Sequence, residues 1–305
     1  MTNTVQLPGV PAELVLDAHA ELAEGPVWDD VRRVLWWVDI NAGRVHGFDP
    51  AAGSDRFVEV GVPVGCVTLD EDGGLAIASS EALLHFDPET GAMETAATFD
   101  PGPVPSRSND GKCDPLGRFW IGRLALDRTP GAGTLNRLDA SGFTAVVADL
   151  TIPNGLEWSI DGRRMYFVES IQRTIWAFDY DLATGILSGR RPFAQLEGGG
   201  LPESAVPDGL AVDADDCVWV AVWGGGCVLR LGPDGAAISR IDVPVARVSS
   251  CTFGGDGMIE LFITTAWEDA TPDELAAQPT AGGIYRARPG VRGRPARRLR
   301  MRPRA

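Results

Sequence analysis

An all-β fold, a six-bladed β-propeller, is what this sequence predicts, and three observations carry the prediction. Six segments share one plan: a turn, a strand, an Asp-rich turn, an aromatic strand, a turn and a third strand ending at Asp-Pro or Asp-Gly. Their starts lie about 40–55 residues apart, the period of a four-stranded propeller blade. Almost nothing carries the 3.6-residue periodicity of a long amphipathic helix.

The first segment is EGPVWDDVRRVLWWVDINAGRVHGFDPAAG, from Glu24, and the second is GCVTLDEDGGLAIASSEALLHFDPETG, from Gly65. The third opens at Ser108 with SNDGKCDPLGRFWIGRLALD and ends in GTLNRLDASG. The fourth, PNGLEWSIDGRRMYFVESIQRTIWAFDYDLATG, starts at Pro153. The fifth opens with PDGLAVDADDCVWVAV at Pro207, and the sixth starts near Val248 and ends in GGIYRARPG. Asp-Gly pairs at Asp72, Asp161, Asp234 and Asp256 are hairpin signals, because glycine accepts the positive φ such turns need. The expected organisation is one domain over 1–305, with blades near 24–53, 64–91, 108–142, 153–185, 207–235 and 248–290. AELVLDAHAEL (Ala12 to Leu22) is expected to pair with the last blade and close the ring, leaving no open edge. EDATPDELAAQ (Glu268 to Gln278) reads as a short helical turn. The arginine-rich end, GRPARRLR, reads as a last strand followed by a solvated terminus.

Composition narrows the function. A formal net charge of −15 argues against nucleic acid and anionic membrane surfaces, and it is compatible with binding a cation. Five scattered cysteines without a CxxC pair read as reduced, buried thiols of a cytoplasmic protein. The start lacks a basic segment followed by an apolar run, so no signal peptide is expected. No apolar stretch of about 18 residues suggests a membrane span. The three histidines (His19, His46, His85) fall in no motif, and Lys112 is the single lysine. Ser-His-Asp, Schiff-base and phosphate-loop chemistries are therefore disfavoured. WGGG (Trp223 to Gly226) follows a strand without opening a helix, unlike a dinucleotide fingerprint.

Four blade starts carry polar residues at corresponding places: Glu24, Asn109-Asp110, Asn154 and Asp208. Corresponding positions of a propeller face one axis, so these residues are expected to meet at one mouth of the channel. Carboxylates and carboxamides gathered there need a cation or an extensive hydrogen-bond network. All-oxygen ligands suit calcium, magnesium or manganese and accept zinc or iron(II). Asp and Asn before glycine are also ordinary turn formers, and Asp110 reads as a turn-stabilising carboxylate. Lys112 and Asp114 are expected to point away from the mouth as structural residues. The tryptophans read mainly as packing between blades, with Trp223 and Trp267 as candidates for the pocket wall.

The runs EGPVW…WWVDI, RSNDGKCDPLGRFWIG, IPNGLEWS and PDGLAVDADDCVWVAVWGG resemble the regucalcin/gluconolactonase (senescence-marker-protein, luciferin-regenerating) family. The likeness extends from Glu24 to the final blade. It implies a six-bladed propeller that holds one divalent metal at the channel mouth and hydrolyses a sugar lactone. By resemblance, Glu24, Asn154 and Asp208 match the metal ligands, and Arg107 and Asn109 match residues contacting sugar hydroxyls. Asp127 stands where the family carries a further acidic substrate contact, a glutamate. With no histidine in these motifs, Asp208, expected to touch both metal and water, is the choice for the proton acceptor. The competing readings are a phosphotriesterase or non-sugar esterase on the same scaffold, and a non-catalytic calcium-binding propeller.

Overall fold

The computed structural model describes residues 7, 9–197 and 200–300. They form six antiparallel sheets arranged as a six-bladed propeller. The inner strands are Ala23–Asp29, Val64–Leu69, Ser106–Cys113, Pro153–Trp158, Val206–Val212 and Val248–Gly254. Each blade then runs outward in chain order. Second strands are sandwiched between neighbouring blades: all seven residues of Phe119–Ala125 are buried. That explains their continuous apolar character, since a strand covered on both faces shows no alternation. Trp37, Trp120, Trp158 and Trp219 are fully buried, and Trp120 meets Trp158 of the next blade edge-on at 6.1 Å.

The outermost strands, such as Ser54–Glu59, Met93–Thr98 and Ile186–Gln195, lie beyond the three-strand segments read from the sequence. Their residues are largely exposed, so the apolar signal is weak there. The ring closes as expected. Glu13–Leu16 is the fourth strand of the sixth blade, with Glu13 opposite Arg286 and Leu14 opposite Tyr285. Gly9–Pro11 adds a fifth, parallel strand to the edge of the fifth blade.

One end of the propeller is marked by the turns between first and second strands. In four of them an aspartate accepts backbone N–H groups of its own turn: Asp29 from Val31 and Arg32, Asp70 from Gly74, Asp114 from Leu116 and Arg118, and Asp213 from Asp215 and Cys217. These aspartates are buried, so the bonds are needed to offset their desolvation. Asp114 is thus structural, as expected. The opposite end carries the starts of the inner strands. The expected helical turn is the helix Pro272–Ala277, capped at Thr271 by a reciprocal bond with Glu274. All five cysteines are free and buried. Among the described residues, no helix is long and apolar enough to cross a membrane.

The expected last strand, GRPARRLR, is not a strand. Residues 292–300 run as extended coil across the turn end of the propeller and touch every blade in passing. Arg292 O accepts from Ala214 N (2.8 Å), Gly293 N donates to Met258 O (2.7 Å), and Arg294 Nη2 donates to Trp158 O (2.7 Å). Arg298 pairs with Asp30 (2.8 Å), Leu299 N donates to Leu69 O (2.7 Å), and Arg300 N donates to Gly117 O (2.9 Å). The strand reading fails because ring closure leaves no open inner edge for another strand. Leu299 is 2% exposed, which makes it an anchor. Leu299→Ala is expected to cost about 2–4 kcal/mol, visible as a lowered Tm, whereas a solvated tail would show no change.

Candidate active site

Every inner strand carries a register shift near its start: between Glu24 and Val27, Val64 and Cys66, Ser108 and Gly111, Pro153 and Leu156, Pro207 and Leu210, and Val248 and Ser250. Such bulges bend a strand and re-aim its side chains. Here they fall on Glu24, Asn109, Asn154 and Asp208 or directly beside them. Glycine follows three of these residues because neighbouring inner strands nearly touch. A Cβ on Gly155 would stand 2.6 Å from the Asp208 carbonyl oxygen, and one on Gly209 would stand 2.0 Å from Ser250 Oγ.

The result is a cleft of about 190 Å³, open to solvent, at the strand-start mouth of the channel. Glu24, Arg107, Asn109, Asn154 and Asp208 all line it, together with Ser170, Trp223, Arg128, Arg247 and Glu268. Glu24, Asn109, Asn154 and Asp208 are each about 5–6% exposed. Asp208 lies within hydrogen-bonding reach of both Glu24 and Asn154. Glu24 Oε2 accepts from Gly25 N at 2.8 Å. Asn154 Nδ2 donates to Ser170 Oγ at 3.2 Å, and Ser170 Oγ donates in turn to Pro207 O at 2.8 Å. This fixes the amide so that Asn154 Oδ1 has no protein donor, and Asp208 Oδ1 has none either. Buried oxygens without partners are rare and costly, so the two atoms are poised for something outside the chain.

Charge tells the same story. Burial, reinforced by the charge of Asp110, pushes the Glu24 carboxyl up to about 8. Burial and then the neighbouring Glu24 hold Asp208 well above the usual carboxylate range. Arg107 is pushed down by burial; its Nη1 donates to Asn109 Oδ1 (2.8 Å) and to Ser108 O (2.9 Å). Asn109 Nδ2 donates to Pro153 O at 2.9 Å, so Arg107 and Asn109 form a locked pair at the wall. Among the described residues, no three His, Cys, Asp or Glu side chains gather round one point; the converging set is two carboxylates with a carboxamide.

Asp127 is not brought to this cleft. It sits on an exposed turn after the second strand of the third blade, and its Oδ1 accepts from Thr129 N (3.0 Å) and Thr129 Oγ1 (2.7 Å). Trp223 lines the cleft, whereas Trp267 turns to a separate shallow hollow beside His19 and donates to His19 O. Asp110 is not a turn residue: it is buried within the inner strand and faces a second, more enclosed cavity of about 50 Å³ further along the axis. Lys112 lines the same cavity, donating to Leu210 O (2.8 Å) and pairing with Glu157 at 3.3 Å.

Sequence reasoning missed the residues that steady this arrangement. Asp39 accepts from Glu21 N and Leu22 N, just before Glu24, and Glu169 accepts from Thr151 N and Ile152 N, just before Asn154. Their signal was an acid closing an aromatic strand, in LWWVD and MYFVE. Ser170, Arg128 and Glu268 follow second strands and carried no motif.

Fold and site together define a six-bladed propeller with a buried, oxygen-rich cluster at one mouth of its channel. Residues 22–267 match the family described as SMP-30/Gluconolactonase/LRE-like region, and the chain belongs to that family. It is 34% identical over 287 residues to regucalcin of Homo sapiens, covering 92% of this chain and 95% of that one. It is 37% identical over 288 residues to pentonolactonase XacC of Haloferax volcanii, with the same coverage of 92% and 95%. Among solved structures, a calcium-binding regucalcin from Agrobacterium tumefaciens superposes with a TM-score of 0.91 at 27% identity, over 97% of this chain and all of the other.

The raised Glu24 carboxyl has a sign that can be checked. A group protonated up to about 8 in the fold, against 4.5 in the unfolded chain, binds more protons when folded. Its contribution to stability therefore falls as pH rises through that window. In chelator-containing buffer, Glu24→Gln is expected to gain at least about 1.4 kcal/mol over the parent at pH 8. The advantage should shrink towards pH 4.5, as read from Tm against pH.

Proposed function

We propose that this chain is a divalent-metal-dependent lactonase that opens a sugar (aldono)lactone to the aldonic acid. The observation that carries the reading is the pair of buried, unpartnered oxygens, Asn154 Oδ1 and Asp208 Oδ1, beside Glu24 in a cleft walled by Arg107 and Asn109. Family membership supports it, since one relative is named a pentonolactonase. The relative described as calcium-binding supports a hard, oxygen-ligated cation. The donor set fits such an ion: two carboxylates and a carboxamide carbonyl, with Asn154 Oδ1 and Asp208 Oδ1 lacking donors within the protein.

Held by Glu24, Asn154 and Asp208, a divalent ion such as calcium, zinc, manganese, magnesium or iron(II) would polarise the ester carbonyl and make water more acidic. The chain's own residues do the rest. The Asp208 carboxylate, ionised when a cation lies beside it, takes a proton from the attacking water as the water oxygen bonds to the carbonyl carbon. The ring C–O bond then breaks, and that proton passes to the departing alkoxide. Arg107, locked to Asn109, presents its remaining N–H groups to the sugar hydroxyls, orienting the ring for attack.

A pH-indicator assay with a panel of aldonolactones, with and without chelator, tests the proposal. Turnover should disappear with chelator and return with added divalent ion. Asp208→Ala should lower kcat by about 10³-fold, while Arg107→Ala should mainly raise KM. Near-normal turnover by the Asp208 variant would reject the assignment.

A further inference from the structure

We infer that Glu268, held in place by Arg128, is the acidic residue that selects among lactones by accepting hydrogen bonds from the substrate's hydroxyls. The inference rests on the lactonase reading above and names a specificity-determining residue for it. Arg128 lies in the loop after Phe119–Ala125 of the third blade, and Glu268 in the loop after Glu260–Thr265 of the sixth. In a ring of six these blades face each other across the axis. Their side chains nonetheless meet: Arg128 Nη2 is 3.3 Å from Glu268 Oε2, and Arg128 Nη1 is 3.7 Å from Asp269 Oδ2. A charged bar therefore spans the mouth where Glu24, Asn154 and Asp208 converge.

Three observations single out Glu268 within that bar. Its side chain is 16% exposed, against 73% for Asp269, so a hydrogen bond to it is less screened by water. Its backbone N donates to Glu21 O (2.9 Å) and its Oε1 accepts from Asn41 Nδ2 (3.0 Å), which fixes its place. It also lines the same cleft as Arg107 and Asn109, which puts an acceptor in the cleft with the donors already assigned to the sugar. A hydroxyl both donates and accepts, so a polyol needs such an alternation, and Asp127 cannot supply it with its carboxylate turned to Thr129 on an exposed turn.

The test compares a polyhydroxylated aldonolactone with an unsubstituted γ-lactone, using Glu268→Gln, Arg128→Gly and Asp127→Asn in the full chain. Glycine suits the positive φ at 128, so that variant removes the guanidinium without new backbone strain. Glu268→Gln is expected to raise KM for the hydroxylated lactone about ten- to a hundredfold, with kcat nearly intact and the unsubstituted lactone unaffected. Arg128→Gly should move KM in the same direction. Equal losses on both substrates, or a loss at Asp127 and not at Glu268, would overturn the inference. Should the parent hydrolyse no lactone, the lactonase reading fails separately, and calorimetric binding of xylitol decides the role of Glu268. Weaker binding by Glu268→Gln supports that role. Equal binding by the two proteins, or no binding by the parent, ends it.

Discussion

The crowding of backbones around the axis governs this molecule. Where the inner strands of the fourth, fifth and sixth blades pass each other, no side chain fits between them, and glycine is obligatory at 155 and 209. The residue before each glycine is thereby turned into the channel and shut off from water. Two carboxylates end up within reach of one another in an environment that disfavours their charge. The unfavourable desolvation exceeds what Gly25 N and the neighbouring amide return, and this is why both carboxyls rise so far above their ordinary range. A fold that held this cluster merely for packing would be more stable with apolar side chains. The polar cluster is therefore a cost in stability that the scaffold tolerates.

The scaffold tolerates it because the two ends of the channel are built differently. At the turn end, buried aspartates accept backbone donors of their own turns, and the arginine-rich tail ties all six blades together. At the strand-start end, acids such as Asp39 and Glu169 also accept backbone donors, yet they spend their bonds on the segments leading into Glu24 and Asn154. Glu24 and Asn154 thus ride on anchored backbone, and Asn154 Oδ1 and Asp208 Oδ1 keep no donor within the protein. Rigid support behind an unsatisfied front is what a preorganised site requires.

Much of this was legible in the sequence, and what was not has physical reasons. The blade repeat was readable because second strands, buried on both faces, give uninterrupted apolar runs. The outer strands were not, because one face is in water. Glu24, Asn109, Asn154 and Asp208 could be found from their corresponding places at four blade starts, three of them directly before glycine. Asp127 was misleading: spacing along the chain placed it in the right loop, but the loop turns that side chain outward and its neighbour Arg128 inward. Glu268 was invisible, since its meaning comes from a residue on the opposite blade about 140 positions away. The tail also misled, because alternating arginine and apolar residues look like a strand until ring closure leaves no edge to receive them.

The closure itself has a consequence for how the chain comes to be folded. Glu13–Leu16 finds its partner only at Ile284–Ala287, so the last sheet of the ring is not completed until nearly all of the polypeptide has emerged. Contacts this remote in sequence form slowly. During synthesis the incomplete ring exposes strand edges that could recruit another nascent molecule, and cellular yield would then depend on holding those edges apart until the circle is joined.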